Sequence, residues 1–170
     1  MASVLTWKTL SGKHVDDYVA EVVKSTADGN RLIHVGCDSQ QHELITEFVR
    51  VVVLLKPGKG GRVLWTTEKV PRITSLRERL LTEVSKSIEI GFELNEVLSE
   101  DVELCIHIDV NPKLRYKSSK YLQELVGYVT GQGFNVLTKP DSWAAMHVAD
   151  FCVKHKNIGR YNVGSKTQTR

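Results

Sequence analysis

HVGCDSQ, residues 34–40, decides how the whole chain is read. A run of apolar and small residues ends abruptly on a carboxylate, a hydroxyl and an amide. Such a run reads as a strand driven through an interior and finished at Asp38. An ionised carboxylate at the rim of a core is costly unless a cation or a hydrogen bond compensates it. The residues on either side have to say which partner Asp38 has.

Working outward, residues 31–37 form the strand. EFVRVVVLLK (47–56) and RVLWTTEKV (62–70) follow, both rich in β-branched residues, and PGKGG between them is a turn. The pair reads as a hairpin, so three consecutive strands are expected to be antiparallel. Upstream, HVDDYVAEVVKST (14–26) has Val15, Val19, Val22 and Val23 on one helical face, closed by the Asp-Gly-Asn stretch at 28–30. Downstream, residues 75–94 carry Leu76, Leu80, Val84, Ser87, Ile88 and Gly91 at helical spacing, with Ser75 and Glu78 placed as a capping box. VELCIHID (102–109) is a second strand that ends on an aspartate. A helix at 118–130, capped by Ser118 or Ser119, a short strand FNVLTK (134–139) and a last helix from about 142 to 155 complete the order.

This α–βββ–α–β–α–β–α order predicts an α/β domain: a mixed five-stranded sheet, three antiparallel strands then parallel ones, with helices on both faces and an additional N-terminal helix. At 170 residues one domain is expected, spanning 1–156 with its core at about 31–156, followed by a basic tail at 157–170. No apolar run approaches the roughly 20 residues needed to cross a bilayer, and MASVLTWKTL lacks the basic-then-apolar pattern of a signal. The expectation is a cytoplasmic protein with no membrane association. Cys37, Cys105 and Cys152 are far apart and form no CxxC pair, so they read as reduced core residues. The net charge of +3 says little, but Lys113, Arg115, Lys117 and Lys120 fall in ten residues with no acid. A cluster of that kind suits a polyanion and equally describes solvated surface.

Two strands end on aspartates, Asp38 and Asp109. In open α/β sheets ligands gather beyond the carboxyl ends of the strands. If the two strands are parallel neighbours the carboxylates lie side by side and repel unless a cation sits between them. Hard divalent ions prefer such oxygen donors. The helix at 75–94 adds Glu83 at the margin of its apolar face, whereas Glu78 and Glu89 fall on the wet side; Glu83 is then a further ligand or a solvated residue at the boundary. In the last helix Asp150 borders the stripe of Ala145, Val148, Ala149 and Cys152, and Asp141 follows a proline as an N-cap should. Asp150 as ligand with Asp141 as cap is preferred, and the reverse stays open. His34 and His107 share strand faces with Asp38 and Asp109 by the two-residue pleat. They fit either a proton-shuttling role or hydrogen-bonded core histidines.

The succession HVGCDSQ (34–40), RLLTEVSKSIE (79–89), CIHIDVNPKLRYKSSKYLQELVGYVTGQGF (105–134) and KPDSWAAMHVADF (139–151) resembles the ribonuclease H-like fold, and within it the YkuK family. The resemblance runs from about residue 31 to 156. It implies a nuclease site of Asp38, Glu83, Asp109 and Asp150 that holds two Mg²⁺ or Mn²⁺ ions and cleaves phosphodiester bonds of nucleic acid. It also implies phosphate contacts from Lys113, Arg115, Lys117 and Lys120. Junction-cleaving members of the wider fold act as dimers, which leaves a homodimer open. Two other classes of function compete: a nucleic-acid-binding module on the same fold without catalysis, and an interaction protein whose acids are structural. An actin-like phosphate-handling protein needs a second similar domain, for which 170 residues leave no room.

Overall fold

The computed structural model describes residues 5–29, 32–149 and 151–152. The basic tail expected at 157–170 lies outside the described residues. Strand β1 (Trp7–Thr9) and strand β2 (His14–Val15) precede helix α1 (Tyr18–Ala27). Strands β3 (Leu32–Gln41), β4 (Ile45–Lys56) and β5 (Gly60–Pro71) lead to helix α2 (Leu76–Asn95). Strand β6 (Glu103–Ile108), a 3-10 turn at Ser119–Tyr121, helix α3 (Leu122–Gly131), strand β7 (Asn135–Thr138) and a π-helical segment Ala144–Val148 follow.

The strands form one seven-stranded sheet in the order β2-β1-β5-β4-β3-β6-β7. β3, β4 and β5 are antiparallel, and β6 and β7 add in parallel beside β3. The mixed architecture is the one expected; the strand count is seven rather than five. The two extra strands come from the N-terminal segment. Thr9 N–H bonds Lys13 O across a turn in which Gly12 has φ +87°. Lys8 then pairs with Trp65 on β5. His14 and Val15, expected in the helix, are strand, and α1 starts only after Asp17, whose carboxylate accepts from Ala20 N–H at 3.0 Å. A stack of the Trp7 and Tyr18 rings, 4.1 Å apart at 17°, ties the new strand to α1.

Pleating sends alternate residues to opposite faces. Ile33 and Val35 of β3, Val52 and Leu54 of β4 and Leu104, Ile106 and Ile108 of β6 meet α1, α2 and α3 in the main core. Val49, Val51, Val53 and Trp65 face the other way and pack with Ala144, Ala149 and Cys152. Helices thus cover both faces, and the nine consecutive buried residues of β4 are the consequence. α2 begins as its sequence dictates, with Ser75 Oγ accepting from Glu78 N–H at 3.3 Å. It lies close on Phe134, just ahead of β7, because Gly91 has no side chain: a Cβ there would fall 2.8 Å from the Phe134 ring. α3 departs from expectation at its start. Ser119 Oγ bonds back to Tyr116 O at 2.8 Å, and no side-chain hydrogen bond caps the 3-10 turn at Ser118 or α3 at Tyr121. All three cysteines are free and buried. Among the described residues no helix is long and apolar enough to cross a membrane.

Candidate functional site

β3 and β6 are parallel neighbours with Gly36 opposite His107. The ladder closes at that pair; Asp38 lies two residues further along β3 and Asp109 directly follows β6, so both come from the same end of the paired strands. Asp38 Oδ1 accepts from Ser39 N–H at 2.8 Å. Asp109 is engaged from the far side. β7 runs parallel to β6 with Thr138 opposite Ile108, so the next residue, Lys139, comes level with Asp109. Its Nζ lies 2.6 Å from Asp109 Oδ1. The pair is partly wet, with side-chain exposures of 26% and 18%, so it is not sealed in a dry interior. The bond from Lys139 to Pro140 is cis.

α2 supplies the third carboxylate. Glu83 is buried, whereas Glu89 on the same helix is 55% exposed at its side chain. Glu83 Oε1 accepts from Ser39 Oγ at 2.5 Å. Burial and the charge of Asp38 push the Glu83 carboxyl up to about 8. The Ser39 hydrogen bond and Arg79 oppose the shift, and Asp109 adds to it. Glu83 therefore keeps its proton at neutral pH when no cation is near, and a cation beside it would displace that proton. In chemical type the three carboxylates suit a hard divalent ion. In spacing, the described residues do not gather them into one compact ligand group, and Lys139 holds Asp109.

One group of metal-type donors is compact: one ring nitrogen each of His34 and His107, together with Cys105 Sγ, lie within 4.8 Å of one another. Its hydrogen bonds argue against an ion. His107 Nδ1 accepts from Ala144 N–H at 3.0 Å. A neutral imidazole that accepts at Nδ1 carries its proton on Nε2. That proton points at His34 Nδ1, 2.8 Å away, and no lone pair on His107 is left for a metal. Burial, with His34 as the second cause, lowers His107 to about 4; burial also lowers His34. Cys105 is pushed up to about 11 by burial and then by Glu103, so its thiol stays protonated. Trp143 closes over both imidazoles, at centroid distances of 4.9 and 5.2 Å. The two histidines are hydrogen-bonded core residues that fasten the start of the terminal helical segment to β6 and β3.

The strand expected to finish at Asp38 in fact continues to Gln41, so Asp38 lies within β3 and Asp109 directly follows β6. This parallel pair of strands, with an acid from the crossover helix near them, is matched by known proteins. The family model described as Ribonuclease H-like matches residues 14–154. The chain belongs to the ribonuclease H-like family. Protein YkuK of Bacillus subtilis (strain 168) is 28% identical over 134 residues, covering 70% of this chain and 77% of that protein. The resemblance seen in the sequence motifs is therefore a family relationship, and the chain is a YkuK-type ribonuclease H-like protein.

On this ribonuclease H-like scaffold the remaining sequence candidates fall as follows. Lys113, Arg115, Lys117 and Lys120 are exposed in the segment that follows Asp109. Arg115 Nη2 donates to Tyr116 OH at 3.0 Å. Asp141 is exposed, and its N–H bonds Thr138 O in the turn after β7. Helix begins only at Trp143, so Asp141 does not sit at an N-cap. Asp150 lies outside the described residues. Sequence reasoning passed over Ser39, Arg79 and Lys139. Ser39 is legible as the neighbour of Asp38. Lys139 required the β6–β7 register, which periodicity does not give, and Arg79 precedes Glu83 by one helical turn.

Proposed function

We propose that this ribonuclease H-like protein is a divalent-cation-dependent nuclease that hydrolyses phosphodiester bonds of nucleic acid in the cytoplasm. Asp38, Glu83, Asp109 and Asp150 are its ligand set for two Mg²⁺ or Mn²⁺ ions. The observation that carries the reading is the common strand end from which Asp38, within β3, and Asp109, directly after β6, come, with Glu83 near enough for Asp38 to raise its carboxyl to about 8. A fold gains no stability from holding Glu83 beside the charges of Asp38 and Asp109, so the arrangement is better explained by an ion that needs these acids.

Bound Mg²⁺ or Mn²⁺ would supply positive charge to the phosphate and to the oxygens that enter and leave it. The chain's own groups do the rest. Asp38 contributes oxygen donors from β3 and Asp109 from β6. Glu83, once deprotonated, would be a further oxygen donor to the ion from α2. Ser39, which donates to Glu83 Oε1, orients that carboxyl toward the strand ends. Lys139 neutralises Asp109 in the metal-free protein, and its ammonium can exchange that carboxylate for a phosphate oxygen. Lys113, Arg115, Lys117 and Lys120 hold the nucleic-acid backbone through phosphate contacts.

A second reading has its own support. The Lys139–Asp109 ion pair compensates one of the acids without a metal, as expected of a nucleic-acid-binding module on this fold that does not cleave. Two measurements separate them. Mn²⁺ titration followed by thermal unfolding should raise Tm in the nuclease and not in the module. Cleavage of labelled oligonucleotides with Mn²⁺ should be abolished by Asp38→Asn, whose circular dichroism and metal-free Tm stay close to those of the parent. Undiminished cleavage by Asp38→Asn rejects the ligand assignment. Salt-sensitive binding with neither cleavage nor a metal-induced rise in Tm establishes the module.

A further inference from the structure

The segment between Asp109 and α3 is built in an unusual way. Val110 at its root is fully buried, and Tyr121 at its far end packs against the main core. Between these anchors the backbone is held by successive turns. Lys113 N–H bonds Asn111 Oδ1 at 3.0 Å, Tyr116 N–H bonds Lys113 O at 3.1 Å, and Ser119 N–H bonds Tyr116 O at 3.1 Å. The segment is therefore preformed. It nevertheless presents apolar side chains to water: Leu114 is 92% exposed and Tyr116 41% exposed. Burying a leucine is worth roughly 1.5–3 kcal/mol, and folding leaves that gain unrealised at a position one step from two cations.

The apolar and basic side chains alternate as Lys113, Leu114, Arg115, Tyr116, Lys117. The Arg115 guanidinium lies 4.9 Å from the centre of the Tyr116 ring and donates to its hydroxyl. The ring is thereby fixed in orientation while part of it stays in water. Lys120 sits 4.8 Å over Tyr121 in a similar pairing. Continuous duplex offers this surface only phosphates, because its base faces are already stacked on one another. A single strand offers phosphates to the cations and unpaired base faces to the ring and the leucine. An acidic protein would satisfy the cations and leave the apolar tips without a specific partner.

We infer that Leu114 and Tyr116, framed by Lys113, Arg115 and Lys117, form a stacking platform for unpaired nucleotides, so that the substrate of the site is single-stranded nucleic acid. This inference rests on the nuclease reading for the site's purpose, and its test is made without catalysis. Fluorescence anisotropy in EDTA would compare a labelled single strand with a duplex of the same length, using the full chain. The single strand should bind at least about ten-fold more tightly. Tyr116→Ala and Leu114→Ser should each weaken single-strand binding about ten-fold, leave duplex binding unchanged and leave the salt slope unchanged. Lys113→Ala or Lys117→Ala should weaken both ligands and reduce the slope of log affinity against log salt by about one. Tm of each variant, all at exposed positions, should match the parent. Equal binding of strand and duplex, or a single-strand preference that survives the Tyr116→Ala, Leu114→Ser double variant, overturns the platform and leaves the nuclease reading standing. Failure to bind either ligand overturns the platform, and the nuclease reading then stands or falls on Mn²⁺-dependent cleavage. Metal-dependent cleavage by Mn²⁺ is scored separately, so loss of the platform and loss of the nuclease give different results.

Discussion

Helix α2 carries two clusters of buried charge little more than a turn apart, and they are organised in opposite ways. In the first, Arg50 donates to Glu68 at 2.7 Å and to Glu89 at 3.0 Å, and Lys86 donates to Glu68 at 2.5 Å. Burial alone would raise the Glu68 carboxyl, but the bonds from Lys86 and Arg50 outweigh it and hold Glu68 below its ordinary value. Each charge there meets its opposite. In the second, Glu83 answers to a serine hydroxyl and faces Asp38 and Asp109, and its carboxyl rises to about 8. The same helix thus shows what a structural charge network looks like and what an acid-rich site looks like. The sign of the carboxyl shift separates the two more sharply than burial does, because both Glu83 and Arg50 are buried.

The largest expected effect breaks the acid-rich cluster. Between pH 4.5 and about 8 the folded chain holds a proton on Glu83 that the unfolded chain has released. Stability contributed by this group therefore falls as pH rises through that window and is lowest above it. Glu83→Gln should remove this slope and stabilise the metal-free protein at pH 8 by on the order of 4 kcal/mol. Urea unfolding of parent and variant at pH 5 and pH 8 checks it. A parent that gains stability relative to the variant as pH rises would show that Asp38 and Asp109 do not act on Glu83 as described.

Next in size, and opposite in sign, is the balanced cluster. Arg50→Met removes a buried partner and leaves the half-buried Glu68 against Lys86 alone, which should cost about 3 kcal/mol in the same measurement. A neutral result would mean that α2 and β5 repack around the loss. The smallest effect belongs to Arg77 and Glu124, which join α2 to α3 at the surface. Arg77→Ala should leave the urea midpoint within error, because exposed ion pairs are screened by water and salt. A clear loss there would remove the distinction between compensated charge inside and outside the core.

Much of this was legible in the chain itself. β3 to β7, α2 and α3 follow from periodicity and turn residues, because each is long enough to show its pattern. The candidate acids Asp38, Glu83 and Asp109 were legible because two apolar runs give way to aspartate and one glutamate sits at a helix face margin, although β3 runs on past Asp38 to Gln41. β1 and β2 were not. Three residues and two residues are too short for a period; β1 becomes a strand through bonds to β5, more than fifty positions away, and β2 through bonds to β1. Val15 shares its helical spacing with Val19 and Val22, which drew the helix too far upstream. Side-chain bonds were the other blind spot. Ser119 was expected as a cap and instead bonds Tyr116, and the Lys139 contact with Asp109 depends on register between strands. The single apolar-to-acid transition at 34–40 carried more information than any composition figure.

The outline of the sheet has a consequence of its own. Twelve-residue strands β4 and β5 lie inside, and the sheet tapers to β2, two residues long, at one border and β7, four residues long, at the other. Strands so brief offer few open backbone groups for a foreign strand to latch onto. They also cover little of what lies inside them: among the described residues β1 pairs with β5 only at Leu64 and Trp65. The outer edge of β5 beyond those two residues carries Glu68, Lys69 and Pro71, residues that discourage a foreign strand from adding to the ladder.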